Sequence, residues 1–109
     1  MSLSSKTSGS QSASIGTEHT LATITDAGVY ILVVDTNAMA NGDEVEFRAK
    51  TKAKSGSSSR EAYYQAYAHA QGQLNKYSVP IPADVEVVFT LKQTAGTGRT
   101  FDWNVLLVS

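Results

Sequence analysis

Cysteine is absent from the 109 residues. That excludes disulfides, a thiolate nucleophile and Cys-ligated zinc. Charge is scarce as well: charged residues are 17% of the chain, and nine basic against ten acidic side chains leave a formal net charge of −1. Such a balance speaks against nucleic-acid binding through bulk positive charge. No apolar run reaches the roughly 18 residues that a membrane-spanning helix requires. No stretch has the charged, apolar and small-residue order of a signal peptide. Only two histidines occur, His19 and His69, and neither lies near a nucleophile-elbow motif. What is left is enough chain for one domain and one core.

Alternation of apolar and polar residues with a period of two dominates from Ile15 onward. Weak alternation runs from Thr17 to Thr25. Val29 to Val34 is apolar on both parities, which predicts a central strand covered on both faces. Glu44 to Lys54 alternates most cleanly: Val45, Phe47, Ala49, Thr51 and Ala53 share one face, while Glu44, Glu46, Arg48, Lys50, Lys52 and Lys54 share the other. Arg60 to Gln71 is rich in alanine, which favours helix, and in tyrosine, which favours strand. Strands on both sides decide for strand. Leu74 to Ile81 is extended and is interrupted by Pro80, with Pro82 following. Val85 to Lys92 and Phe101 to Val108 alternate again, and Ala95-Gly96-Thr97-Gly98 between them predicts a hairpin loop. The pattern predicts an all-β fold: a single antiparallel β-sandwich of about seven strands, with a jelly-roll-like arrangement as one form of it. Residues 1–14 stand apart. They are mostly serine and carry too little apolar area to offset the entropy of ordering. The expected organisation is a flexible tail at 1–14 and a sandwich domain at 15–109.

The candidate interface residues lie on two strands. Arg48, Lys50 and Lys52 form a basic row suited to an acidic protein surface, or simply to a solvated face that discourages edge pairing. Tyr63, Tyr67 and His69 form an aromatic row that suits protein contacts or sugar stacking. The second use gives the alternative reading, a carbohydrate-binding β-sandwich module in which Trp103 could join the two tyrosines. The Asp35–Asp43 loop is rich in oxygen ligands of the kind calcium prefers, yet its spacing departs from the EF-hand pattern and its residues are ordinary turn formers. No pattern marks a catalytic, metal or cofactor site, so no enzyme and no cofactor are expected.

Three stretches carry a resemblance. They are Ala13-Ser14-Ile15-Gly16-Thr17-Glu18-His19, then Val33-Val34-Asp35-Thr36-Asn37 with Asn41-Gly42-Asp43, and Thr90 to Arg99, TLKQTAGTGR. Together they resemble a family of small proteins encoded among the structural genes of tailed bacteriophages and prophages. The resemblance implies a virion-associated role as a head-decoration, head–tail or tail component. It also implies partners among other virion proteins and copies of the chain itself, as a homo-oligomer; the charge balance and the lack of a long apolar run add the expectation of no nucleic acid and no membrane. The protein would reside in the phage particle, and in the bacterial cytoplasm before assembly. The resembling motifs are turns and strand edges, so no catalytic residue is implied.

Overall fold

The computed structural model describes residues 2–109. Met1, the first residue of the expected tail, lies outside the described residues. Nine strands are present: β1 (Leu3–Ser12), β2 (Glu18–Ile24), β3 (Gly28–Asp35), β4 (Glu44–Thr51), β5 (Arg60–Ala68), β6 (Asn75–Tyr77), β7 (Ile81–Ala83), β8 (Val87–Ala95) and β9 (Thr100–Val108). No helix occurs among the described residues, so no helix there is long and apolar enough to cross a membrane.

The strands form two antiparallel sheets. One has the order β1-β9-β3-β6, with β7 also pairing β3; the other has the order β2-β8-β4-β5. Strands β6 and β7 both lie against β3, at Val33–Asp35 and at Gly28–Tyr30. They are two halves of one strand, broken around Pro80, which cannot donate to a ladder. Counting them as one leaves eight strands. All connections cross between the sheets except β4–β5 and the broken β6–β7. That wrapping is the jelly roll. The predicted hairpin at Ala95–Gly98 is accordingly corrected: these residues carry the chain from one sheet to the other.

The tail expected at residues 1–14 is also corrected, because Leu3–Ser12 is the edge strand β1, registered on β9 from Leu3↔Val108 to Ser12↔Thr100. The reading failed because it counted apolar burial. Strand β1 is held instead by its backbone ladder and by hydroxyl bonds such as Ser5 Oγ to Asn104 Oδ1 at 2.7 Å.

The core fills the space between the sheets. Tyr30, Leu32, Val34, Phe101 and Val105 from one sheet meet Val45, Phe47, Ala49, Val87, Phe89 and Leu91 from the other, all at most 3% exposed. Inward-facing aliphatic and aromatic side chains of this size contribute about 1.5–3 kcal/mol each on burial. The alternation in β4 therefore does what its spacing predicts, with Val45, Phe47 and Ala49 inward and Glu46, Arg48 and Lys50 outward.

Candidate interaction face

Each sheet has an outer face, and the two differ sharply. Across the β2-β8-β4-β5 sheet the outer face is an ion-pair lattice. Arg48 bonds Glu46 and Glu61, each at 2.7 Å, and Lys50 bonds Glu18 at 2.8 Å. Lys52 lies 3.9 Å from Glu86. The Arg48 guanidinium also sits 4.8 Å above the Tyr64 ring, whose hydroxyl donates to Glu46 Oε2 at 3.1 Å. Partial burial disfavours the Arg48 charge, but its bonds to Glu46 and Glu61 outweigh that and raise its pKa. The hydrogen bond from Lys50 holds the Glu18 carboxyl below its ordinary range. Arg48, Lys50 and Lys52 thus each face an acid, supplied by their own strand, by a neighbouring strand or, for Lys52, by the segment leading into β8. An incoming acidic surface would have to displace those acids.

The aromatic row turns inward. Tyr63 and Tyr67 stand opposite Ala49 and Val45 in the β4–β5 register and are half-buried against the core. The Tyr67 ring lies 5.6 Å from Phe47, with the Lys76 ammonium 4.8 Å from its centroid. Burial raises the phenol pKa of both tyrosines. Trp103 is on the other sheet, on β9, where a Cβ at Gly9 of β1 would come within 3.2 Å of its ring. Tyr63, Tyr67 and Trp103 therefore do not converge on one platform. The exposed tyrosines are instead Tyr64 and Tyr77, at 44% and 60%.

His69 lies beyond the end of β5 in the left-handed backbone region, at φ 66°. Its Nδ1 accepts from the Gly42 N–H at 2.9 Å, and its own N–H donates to the Asp43 carbonyl at 2.7 Å. It therefore fastens a loop.

That loop belongs to a polar knot that sequence reading did not find. Asp43 is 2% exposed. Its carboxylate accepts from the Ala40 N–H at 2.9 Å, the Thr97 N–H at 3.0 Å and Arg99 Nε at 2.7 Å. These bonds, led by that from Ala40, hold its pKa down against the opposing effect of desolvation. The buried Gln93 side chain donates to the Thr97 carbonyl at 2.7 Å and accepts from the Arg99 N–H at 3.0 Å. Its backbone carbonyl accepts from the Gly16 N–H. The loops β1–β2, β3–β4, β5–β6 and β8–β9 all meet here, at one end of the jelly roll. Donors occupy both Asp43 oxygens, and no group of three His, Cys, Asp or Glu side chains able to hold a metal comes together among the described residues.

The remaining surface is the outer face of the β1-β9-β3-β6/β7 sheet. Strand register sets its side chains in rows. The first is Leu3–Val108–Val29–Pro82, the second Ser5–Leu106–Ile31, the third Ser8–Asn104–Val33–Tyr77 and the fourth Ser10–Asp102–Asp35–Asn75. The centre of this face is aliphatic. Val29, Ile31, Val33, Leu106 and Val108 are each only partly covered. Leu3 and Tyr77 at the borders are 56% and 60% exposed, as is Val79 at 56% between β6 and β7. Acids mark one end, in the row of Asp102 and Asp35. Neither lysine nor arginine appears in the four rows. The sequence predicted a strand at Val29–Val34 covered on both faces. One cover is the second sheet; on the other side no layer lies over it among the described residues.

Taken together, these features define the class as an antiparallel jelly-roll β-sandwich with one charged and one aliphatic broad face. Compared with known protein families, curated proteins and solved structures, the chain matches none.

Proposed function

We propose that the protein is a non-enzymatic structural component of a tailed-phage particle that works by protein–protein contact, with the aliphatic face of the β1-β9-β3-β6/β7 sheet as its contact surface and a second copy of the chain as the occupant. One observation carries this reading: a continuous outward row system of Val29, Ile31, Val33, Leu106 and Val108 with no covering layer among the described residues. Patches of that kind mark interaction sites.

Area and charge favour a second copy. The Cα atoms span 40 × 30 × 18 Å. A broad side of 40 × 30 Å outlines about 1,200 Å², polar end included, which leaves room for the roughly 800 Å² per partner of a standard interface. Sheet-on-sheet packing of aliphatic rows is the same physics that forms the sandwich interior. The acid row selects the geometry. A two-fold axis running across the strands, along the Leu106–Ile31 row, lays that row on itself and sets Val108–Val29 of each copy against Asn104–Val33 of the other. It also sends the Asp35/Asp102 rows of the two copies to opposite ends. An axis parallel to the strands would stack the acids on each other, which is repulsive.

The resemblance to phage structural proteins supplies the setting, as a head-decoration, head–tail or tail component. Jelly rolls recur in viral capsid proteins, an analogy of fold that assigns no function by itself. His69, Asp43 and Glu46, which could do acid–base work, are each engaged in structural bonds. Location in the particle follows from this reading, after synthesis in the bacterial cytoplasm. Quantitative mass spectrometry of particles purified from the source strain tests it. The chain should co-purify at a stoichiometry comparable to other structural proteins. Its presence in the lysate but absence from the particles would remove the proposal.

A further inference from the structure

Strand β1 combines two properties that rarely occur together. By topology it is an integral jelly-roll strand, paired along its whole length with β9. By composition it contributes almost nothing to the core: Leu3 is its one large apolar side chain and points outward at 56% exposure. Its inward positions are Ser4, Thr7, Gly9 and Gln11, opposite Leu107, Val105, Trp103 and Phe101. The register also slips between Ser5 and Thr7. Backbone bonds and hydroxyl contacts such as Ser5–Asn104 and Ser12–Thr100 hold it in place. Every one of these bonds can be remade by the same residues of another molecule. Strand β9, by contrast, is anchored on its other side by β3 and keeps Phe101 and Val105 fully buried.

We infer that β1 is an exchangeable strand, and that the β9 edge which it leaves is a docking site for residues 3–12 of a second copy of this chain. An element held mainly by its backbone ladder is among the first of a domain to open, and β1 is such a strand, at the edge of its sheet and joined to β2 by a short connection. The hinge is residues 13–17, where Gly16 adopts a positive φ of 83°. Opening uncovers Trp103, over which Gly9 lies so closely that a side chain there would press on the indole. The vacated edge is selective. It needs a segment with a small residue over Trp103 and hydroxyls opposite Asp102 and Asn104, and β1 itself has that pattern. Exchange links copies edge to edge, whereas the aliphatic face joins them broadside, so the inference stands independently of the proposed function.

Thiols introduced at a register pair test it. Chains carrying Ser8→Cys are mixed with chains carrying Asn104→Cys, held at high concentration, then diluted and oxidised. Exchange sets the two thiols opposite each other and yields a disulfide-linked heterodimer, several-fold above the product from either variant alone. The double variant S8C/N104C, oxidised in dilute solution, should close within one chain and run as a monomer. Closure of the double variant with no heterodimer above background overturns the inference. Hydrogen exchange on the unaltered chain decides independently of any variant. In dilute solution the amides of Leu3–Ser12 should exchange roughly 100-fold faster than those of Tyr30, Leu32 and Phe89. Equal protection across these strands overturns it as well.

Discussion

Replacing Asp43 with alanine probes the knot that ties four loops together. The carboxylate accepts two backbone N–H bonds, from Ala40 and Thr97, and one from the Arg99 guanidinium. Bonds to a charged acceptor contribute about 1.5–3 kcal/mol each. The Arg99 side chain is 30% exposed and regains water when its partner goes, so its share is discounted. The two backbone donors become buried and unpaired. The expected loss is therefore about 3–5 kcal/mol, at the large end for a single substitution. Urea unfolding at neutral pH, followed by the fluorescence of the sole tryptophan, Trp103, measures it. The midpoint should fall by about 2 M. Gly96→Ala attacks the same knot from the other side. Gly96 has φ 92°, and a Cβ there would lie 2.7 Å from the Asp43 Cα, so a loss of similar size is expected. A fall below about 1 kcal/mol in both variants would refute the view that this knot organises the loop end.

Acid should weaken the fold in a definite window. The Asp43 carboxyl titrates below its ordinary 3.8 in the folded chain, so the unfolded chain binds more protons there. Stability is thus full above about pH 5 and is lost as pH falls below 4 through the depressed folded value. Glu18 and Glu46 are shifted in the same direction. Asp43→Asn should therefore flatten part of the acid limb, and an unchanged limb in denaturant titrations between pH 3 and 7 would contradict the assignment. Lys50→Ala removes a surface pair whose partners are each one-third exposed. It should cost at most about 1 kcal/mol, and less in high salt, by the same unfolding assay.

How much of this was legible in the sequence depends on the range of the interactions. The inward and outward sets of β4 were readable because period two is a local property. Strand β5 was readable only from its flanking strands, because its alanines and tyrosines pull opposite ways, and its tyrosines alone did not tell inward from outward. The two-sided apolar character of Val29–Val34 correctly marked β3 as a central strand, and its uncovered side emerged only with the sheet order. Strand β1 was missed because the serine-rich segment has no local apolar signal; its partner Val108 follows Leu3 after most of the chain. The basic row Arg48, Lys50 and Lys52 was visible, whereas three of the acids that neutralise it, Glu18, Glu61 and Glu86, are brought alongside by folding. The knot was hidden similarly: Asp43 read as a turn residue, and its partners Thr97 and Arg99 lie more than fifty positions away.

Self-association through the aliphatic face is the claim on which the account turns, and light scattering over a concentration series tests it directly. The chain should exceed monomer mass as concentration rises. Ile31→Glu and Leu106→Glu place charge at the proposed two-fold row. Both side chains face outward and are only partly buried in one molecule, so each substitution should cost about 1–2 kcal/mol of monomer stability, which urea unfolding checks. Each variant should therefore remain folded and lose the broadside association, keeping only whatever edge-to-edge exchange of β1 the wild-type chain shows. A wild-type chain that stays monomeric throughout, or one whose association is not weakened by either substitution, would contradict the assignment of this face.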